Sequence, residues 1–485
     1  MSETTLPKSG DDPRTTPTTA NSSRTAALLA AAMDRIGVTR CHKVVLFLVT
    51  FGAFFDVIEQ NTVGMAGPAL TAQWGISSAQ VGLLASATFG AMYLGAVAGG
   101  WMADRWGRKT MFSFNLAVYS LGGLICAFAA NYAMMVAGRI VVGLGLGGEF
   151  VVGLALLAEL TSTKFRGTAV SLLQVGAGGL GNPAANLFGF LVIGVLGPIL
   201  PLVLGGPDTA WRWLYIFLAL PALLVLYLRR HFPETPRFLV MRGRIAEANK
   251  TLSVLASGRM NPRGVTVTEY LPDDASFDGA ENSRWTDILR GRLGRNSAVL
   301  ATCTSMLFGA QFVMLTFWPI ILISRGYEVV TSLVFTMVID LGALLGASAA
   351  SFFNTKFKRR PTVAAGAVLS AAAALVLAFG GNDVATILIV GFLFEFFSWW
   401  TNTAISAWAP ELYPTRVRAF GIGAVSNLGL IGGAILPPVA GALLGSLGSS
   451  ALLGLVGVMC LLVLVAVPFG PETFGRSLEE IHGEA

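Results

Sequence analysis

Long apolar runs separated by short polar segments dominate this chain. Six runs follow one another in the first half and six in the second, and each is long enough to cross a bilayer as a helix. The pattern predicts an all-α membrane protein with twelve transmembrane helices in a six-plus-six arrangement. The runs cover about 44–68, 79–101, 110–130, 134–158, 168–197, 211–229, 297–323, 329–353, 361–380, 384–408, 418–445 and 448–468.

The polar segments divide the chain into five parts. The first, rich in Thr, Ser, Pro and Asp, is predicted to be a disordered tail with room for a short amphipathic helix at Ala26–Met33. The central part is a linker with short helices, and the apolar spacing predicts a helix over Pro236–Ala256. The parts are the tail 1–42, a six-helix bundle 43–230, the linker 231–296, a second six-helix bundle 297–468, and a C-terminal tail 469–485.

The composition excludes a water-soluble protein. Hydrophobic residues make up 54% of the chain and charged residues 12%, about half the charge of a soluble domain. The four cysteines are far apart and the three histidines lie outside the apolar runs, so neither a metal site nor a disulfide framework is predicted. The chain has no G-x-x-x-x-G-K-[ST] loop and no nucleophile–base pairing. We therefore expect no cofactor, no ATP-driven pumping and no enzymatic activity.

Lysine and arginine set the expected orientation. If both termini lie on one side, all but three of the 33 basic residues lie on that side. Arg212 and Arg325 fall in loops on the other side, and Arg139 falls inside a span. Such an imbalance predicts a multi-pass protein of the plasma (cell inner) membrane with both termini in the cytoplasm. Because topology accounts for the net charge of +6, no nucleic-acid partner is expected.

Three polar motifs recur in the same order in both halves. Each stands at the predicted cytoplasmic end of a span, and their common order indicates a duplicated six-helix unit in parallel orientation. Parallel repeats are one of the architectures in which a substrate site forms between the two halves. The recurring pairs are Asp104–Lys109 with Thr355–Arg360, Glu159–Arg166 with Glu411–Arg418, and Pro233–Arg237 with Pro471–Arg476.

These motifs resemble those of a known family. The spacing G-x-x-x-D-R-x-G-R-K over Gly100–Lys109 is similar to the loop between helices 2 and 3 of the major facilitator superfamily. Pro-Glu-Thr-Pro-Arg at 233–237 and Leu-Glu-Glu-Ile at 478–481 resemble its sugar-porter branch. The resemblance covers about residues 44–481 and implies charge clusters that close the cytoplasmic side. The implied gating residues are Asp104, Arg105, Arg108, Glu159, Arg166, Glu234, Lys356 or Arg359, Glu411, Arg418 and Glu472.

Ionisable residues inside the predicted spans are the candidates for energy coupling, because each is costly to bury. They are Asp56, Glu59, Arg139, Glu149, Asp340 and Glu395. The resemblance implies that Asp56 lies against Arg139. An arginine stays charged at any relevant pH, so the acid is the expected carrier of a transported proton. Glu59, on the same side of the helix as Asp56, is the alternative carrier.

Polar and aromatic side chains deep in the spans are the predicted substrate contacts. Uncharged amides both donate and accept hydrogen bonds, and aromatic rings can line a cavity. The resemblance implies a substrate-binding glutamine at Gln174. No role is assigned to Asp340 or Glu395. Each either contacts substrate or is a neutral, hydrogen-bonded acid. The predicted contacts are Gln174, Gln311, Glu149, Asn402, Asn427, Trp318 and Trp400.

Together these observations predict a secondary active transporter of a small polar solute, such as a sugar, polyol or related metabolite, that works by alternating access with proton symport. Five buried acids against one base favour neutral or cationic solutes over a permanent anion. One alternative is export of drugs or organic cations, which the acids and the glycine–proline motif at Gly178–Pro183 favour. Another is import of nicotinate or an aromatic acid, because Gly147–Glu149 is similar to relatives that carry them. A non-transporting sensor is disfavoured, since Asp56 and Arg139 are both present.

Overall fold

The computed structural model describes residues 17–197, 199, 209–220, 233–259, 264–277, 288–354, 356–380, 383–414 and 417–474. Within these residues every regular element is helical, and eleven helical segments are long and apolar enough to cross a membrane. The all-α membrane fold predicted from the apolar runs is therefore confirmed. The predicted sixth span begins as a helix at Trp211, and its residues 221–229 lie outside the described residues.

In the first half, each of the first four predicted spans is one long helix. Its fifth span is one helical run over 163–196 in which two π-helical segments, Val175–Gly179 and Phe190–Leu196, interrupt the α-helix on either side of Pro183. Proline removes a backbone donor, and π segments absorb such irregularities. The helices are α2 Arg40–Trp74, α3 Ser78–Trp106, α4 Arg108–Ala127, α5 Tyr132–Leu160, α6 Thr163–Gln174, α7 Leu180–Gly189 and α8 Trp211–Ala219.

The second half repeats this arrangement after the linker. Its eleventh predicted span is interrupted at 427–428 and forms two helices. Short 3₁₀ helices over Ala409–Leu412 and Val467–Phe469 end two of the spans. The linker helices are α9 Pro236–Met241 and α10 Ile245–Ser257, and the spans are α11 Gly291–Ser324, α12 Val329–Phe353, α13 Arg359–Phe379, α14 Val384–Trp408, α15 Arg418–Ser426, α16 Gly429–Leu447 and α17 Ser449–Ala466.

Local signals account for several helix ends. Ser77 and Gln80 form a reciprocal capping box at the start of α3. Asn131 and Asp383 accept the backbone N–H groups of Met134 and Thr386 and so begin α5 and α14. These caps lie in the short loops between apolar runs, which is why the sequence pattern located the spans well.

The tail prediction is wrong for residues 17–36. Pro17–Ile36 forms a helix, α1, which buries Ala32 and Met33 and packs on α10. Asn21 donates a hydrogen bond to the carbonyl of Asp274 at 3.2 Å. A polar helix of this kind gains its stability from tertiary contacts, which composition alone does not reveal. Residues 1–16 lie outside the described part.

The single helix predicted over Pro236–Ala256 is two helices in the structure. Residues 242–244 form a turn between α9 and α10, and Gly243 in it has a φ of +68°. A left-handed backbone is accessible to glycine at little cost and ends a helix. The turn places Arg242 at the end of α9, a position that matters below.

The two halves pack together near one face of the molecule. We call the face at which α2 begins and the last span ends the terminal face; the cross-half contacts lie towards the opposite one. A Cβ on Gly82 of α3 would lie 2.3 Å from the carbonyl oxygen of Pro437 in α16, so this approach needs glycine. The rings of Phe89 and Phe312 stack at 3.9 Å, and Asn186 bonds Asp340 across the same interface. The described conformation is therefore closed on the face opposite the termini.

Candidate functional site

A buried arginine lies at the centre of the first half. Nη1 of Arg139 in α5 lies 2.6 Å from Oε1 of Glu59 in α2, and both side chains are about 1% exposed. The same guanidinium donates to the hydroxyl of Thr62 at 3.0 Å and through Nε to that of Thr88 at 2.8 Å. Its Cζ lies 5.9 Å from the ring centre of Tyr215 in α8. A charge out of water needs this kind of close partner set.

This arrangement corrects the expected pairing of Asp56 with Arg139. Glu59, expected only as the alternative, makes the ion pair, and the guanidinium makes no hydrogen bond to Asp56. One helical turn separates the two acids, so a small rotation of α2 about its axis decides which one meets α5. The sequence spacing could not resolve that rotation.

Two further carboxylates of the first half are buried without partners. Asp56 is 4% exposed and Glu149 is 1% exposed, and none of their four oxygens has a hydrogen-bond partner in the part of the chain that the structure describes. The two groups are near enough for their charges to interact. Tyr119 of α4 lies within electrostatic range of both and of Glu59. We call Asp56, Glu59 and Glu149 the acid group.

Gly52 allows Glu149 to lie against the backbone of α2. A Cβ at position 52 would stand 2.7 Å from Oε1 of Glu149, too close for any side chain to fit without a shift. The carboxylate of α5 thus reaches the same helix that carries the other two members of the acid group. The three acids therefore form one unit shared by two helices.

The second half carries the other two buried acids. Oε1 of Glu395 accepts a hydrogen bond from Nε1 of Trp318 at 3.1 Å. Asp340 is 6% exposed, and its Oδ2 accepts a hydrogen bond from Nδ2 of Asn186 at 2.7 Å. Because Asn186 belongs to α7 of the first half, this bond joins the halves. Asp340 and Glu395, for which no role was predicted, both lie where the halves meet or close beside it.

Two of the predicted substrate amides come together. Oε1 of Gln311 accepts from Nδ2 of Asn402 at 3.0 Å, and Nε2 of Gln311 donates to the hydroxyl of Ser398 at 3.1 Å. Asn402 is half-buried, so this pair keeps free hydrogen-bonding capacity. Their substrate contact stays a prediction.

Three other predicted contacts do not join that pair. Gln174 is exposed at the end of α6, and Asn427 lies in the turn between α15 and α16. Nε1 of Trp400 donates to the carbonyl of Thr362 at 3.1 Å, and its ring centre lies 5.0 Å from that of Phe353. Trp400 thus ties α14 to its neighbours within the second half. Trp318, by contrast, is buried against Glu395.

At the terminal face, Arg108 is the centre of a charge cluster in the first half. Its Nη2 lies 2.7 Å from Asp104 and 3.2 Å from Glu159. Oε1 of Glu234 accepts the backbone N–H groups of Arg108 and Lys109 at 3.0 and 3.2 Å. The carboxylate therefore caps the start of α4, where the helix dipole is positive. Burial raises the pKa of Glu234, and the backbone donors oppose that rise.

The second half repeats this cluster around Arg359. Its guanidinium holds Glu411 with two bonds, Nη2 to Oε1 at 2.7 Å and Nε to Oε2 at 3.0 Å. Glu472 accepts the N–H groups of Arg359 and Arg360 at 2.9 and 3.1 Å and so caps α13. Each half thus contains one arginine, a partner acid and a capping acid in the same places, and the first half adds Asp104 as a second partner acid.

The remaining predicted gating residues are not seen in these clusters. The guanidinium of Arg105 lies over the ring of Trp101 at 5.8 Å, and Lys356, the alternative to Arg359, lies over the ring of Phe352 at 4.2 Å. Arg166 lies in the first turn of α6 and Arg418 is the first residue of α15, but the side chains of both lie outside the described part. Each described ion pair of the two clusters lies within one half.

Some site residues were not identified from the sequence. Asn182 and Asn186 stand four apart on one side of α7; the first accepts from Asn61 at 3.0 Å and the second bonds Asp340. Two asparagines at helical spacing inside an apolar run were a usable signal. Thr62, Thr88 and Tyr215 around Arg139 carry no such signal, because single hydroxyls are common in spans.

The model of the sugar (and other) transporter family matches residues 31–485. The niacin transporter NiaP of Acinetobacter baylyi is 30% identical over 456 residues, which cover 93% of this chain and 99% of that protein. The probable 4-methylmuconolactone transporter of Cupriavidus pinatubonensis is 27% identical, covering 90% of this chain and 91% of that protein.

A solved structure supports the same fold. The inward-open xylose transporter XylE of Escherichia coli superposes with a TM-score of 0.70, covering 91% of this chain and 99% of that one at 18% identity. The resemblance inferred from the motifs and the twelve-helix fold of two six-helix repeats are thereby confirmed. This chain belongs to the sugar (and other) transporter family and is a multi-pass membrane transporter of the major facilitator superfamily.

Proposed function

We propose that this chain is a proton-coupled symporter that moves a small polar metabolite between the halves by alternating access. The observation that carries the proposal is the acid group, in which Asp56 and Glu149 are buried without a hydrogen-bond partner among the described residues. An ionisable residue is costly to bury inside a membrane protein, so two acids without described partners favour a functional role over a structural one. The proton coupling and the substrate of this transporter are the parts that need testing.

The charge balance of the acid group argues for proton binding. The spans of the first half bury three carboxylates and Arg139, which is already held by Glu59. A carboxylate in low dielectric without a cation or donor is too costly to keep ionised, so it takes up a proton. Water that enters from one face at a time would deliver and remove that proton. The two unpaired acids are therefore the proposed carriers, and Glu59 is the proposed partner that holds the arginine.

We assign the terminal face to the cytoplasm of a cell whose inner or plasma membrane holds the protein. The support is the imbalance of lysine and arginine between the two faces. On this assignment the conformation is closed to the outside and faces inward. To face outward, the contacts of α3 with α16 and of α7 with α12 must separate, and the Asn186–Asp340 bond must break. The arginine clusters of the two halves would then approach each other.

The substrate is proposed to bind between the halves near the middle of the spans. Gln311 and Asn402 offer hydrogen bonds to hydroxyl or carbonyl groups, and Trp318 with Glu395 adds an aromatic wall with an acceptor. These groups suit a small ring bearing polar substituents, either a sugar or polyol or a nicotinate-like acid. The similarity to a niacin transporter makes the ring acid the first compound to test.

Export of an organic cation is the second candidate. Five buried acids and one paired base would favour a positive solute in the cavity. On this reading a proton leaving an acid is exchanged for the cation, so the fluxes run in opposite directions. The direction of coupled proton flow separates the two candidates.

Proteoliposomes with an imposed proton gradient test the proposal. Purified protein is reconstituted and offered sugars, polyols, nicotinate, aromatic acids and organic cations, while internal pH is followed with a trapped dye. We expect the wild type to accumulate one class of solute while protons enter. Asp56→Asn or Glu149→Gln should abolish gradient-driven accumulation but keep solute exchange. Glu247→Gln, which removes an exposed acid outside the spans, is the matched control.

Two outcomes would contradict the proposal. Solute accumulation that is unchanged when the proton gradient is collapsed would exclude proton coupling. Normal gradient-driven accumulation in both acid variants would remove the acid group from the mechanism.

A further inference from the structure

One side of α3 carries exposed apolar side chains along the membrane. Leu94, Val97 and Trp101 are 61%, 55% and 63% exposed, and their spacing of three and four residues places them in one stripe. Exposed apolar side chains on a membrane-spanning helix are suited to contact with lipid tails. The stripe runs towards the terminal face and ends there in the tryptophan, a residue that favours the membrane interface.

Arg105 continues the stripe by one helical turn. It stands four residues after Trp101, which is about 6 Å further along the helix axis. Its guanidinium lies over the Trp101 ring at 5.8 Å. A position one turn beyond an interfacial tryptophan is the level expected for lipid headgroups.

Arg242 brings a second guanidinium to the same place. The turn after α9 directs it towards α3, where it donates a hydrogen bond to the carbonyl oxygen of Arg105 and lies over the Phe238 ring at 5.6 Å. An open pocket of this face is lined by Trp101, Asp104, Arg105, Trp106 and Arg242.

Neither arginine of the pocket has an acidic partner in the part of the chain that the structure describes. Among the described ion pairs, none involves Arg105 or Arg242. Asp104, the acid of the pocket, forms an ion pair with Arg108 at 2.7 Å. The pocket therefore presents two positive charges that the described part of the protein leaves without an anion.

We propose that this pocket binds the headgroup phosphate of an anionic phospholipid. Two guanidinium groups match a phosphodiester, and basic pockets at the cytoplasmic side of membrane proteins hold anionic lipid headgroups. Because the pocket is continuous with the lipid-facing stripe, the occupant is a lipid rather than a soluble phosphate. Its acyl chain lies along Leu94 and Val97, and its headgroup reaches the loop that carries the Arg108 cluster.

Native mass spectrometry of the full chain, released from detergent with defined lipids, tests this site. Phosphatidylglycerol and phosphatidylcholine with the same acyl chains are titrated against wild type and the double variant Arg105→Ala/Arg242→Ala. We expect the variant to bind phosphatidylglycerol about tenfold or more weakly, since each basic residue near a membrane surface contributes about 1 kcal/mol. Phosphatidylcholine retention should change little.

The matched control is Arg35→Ala/Arg259→Ala, which removes two exposed arginines from the same face of the molecule. It should retain phosphatidylglycerol as wild type does. Trp101→Ala, which removes the ring beneath Arg105, should weaken retention in a variant of unchanged charge. Equal retention by the Arg105/Arg242 variant, or an equal loss in the control, would overturn the site. Displacement of the lipid by millimolar inorganic phosphate would instead identify a soluble anion as its ligand.

Discussion

The buried pair of Arg139 and Glu59 allows a sharp test against its neighbour Asp56. Glu59→Gln removes the negative charge 2.6 Å from the guanidinium, whereas Asp56→Asn replaces an acid that has no described partner and that we propose to carry a proton. Both positions lie on α2, both are at most 4% exposed, and both substitutions preserve side-chain size. Comparing the two variants therefore separates the effect of breaking the ion pair from that of replacing a buried acid by its amide.

The magnitude follows from the contacts of Arg139. Removing one partner of a buried ion pair costs about 3–5 kcal/mol, because the other charge stays buried without compensation. The substituted glutamine would keep one acceptor for the guanidinium, and the hydroxyls of Thr62 and Thr88 remain. We therefore expect Glu59→Gln to lower the free energy of unfolding by about 3 kcal/mol. Asp56→Asn should change it by less than about 1 kcal/mol.

Unfolding of the purified protein in mixed micelles of dodecyl maltoside and sodium dodecyl sulfate, followed by tryptophan fluorescence, measures both values. Wild type and the two variants are compared at one pH and one protein concentration. Equal destabilisation by the two substitutions would refute the reasoning. So would a larger loss in Asp56→Asn, because that result would make Asp56 the partner of the arginine after all.

Three further outcomes follow from the described contacts. Glu411→Gln leaves Arg359 without its charged partner. The transport rate should fall severely, while ligand affinity stays within about twofold. A large loss of affinity at a normal transport rate would argue against a gating role. Gln311→Ala should raise the apparent KM about tenfold, the effect of one lost hydrogen bond; unchanged KM in uptake assays would place the cavity elsewhere. Asn186→Asp places a second carboxyl group beside Asp340, where the two atoms now bond at 2.7 Å across the halves, and two ionised carboxylates repel each other at alkaline pH. A cysteine placed near the closed face should then react faster with a membrane-impermeant thiol reagent at alkaline pH. An unchanged reaction rate would contradict the contact.

The sequence by itself determined the architecture of this protein. The apolar runs located the spans because a bilayer demands about twenty apolar residues per helix, and the polar loops between them hold the caps. The recurrence of Glu159 as Glu411 and of Glu234 as Glu472 predicted two equivalent clusters, and the structure contains both. Repeated motifs carry this information because each half folds by the same local contacts.

Only the tertiary structure decided which charges meet. Asp56 and Glu59 are one turn apart on α2, and the rotation of that helix relative to α5 places Glu59 in contact with Arg139. The bond between Asn186 and Asp340 likewise depends on how two distant spans face each other. Helical spacing orders side chains around one helix, but the register between helices is set by packing, at places such as Gly82 where two backbones touch.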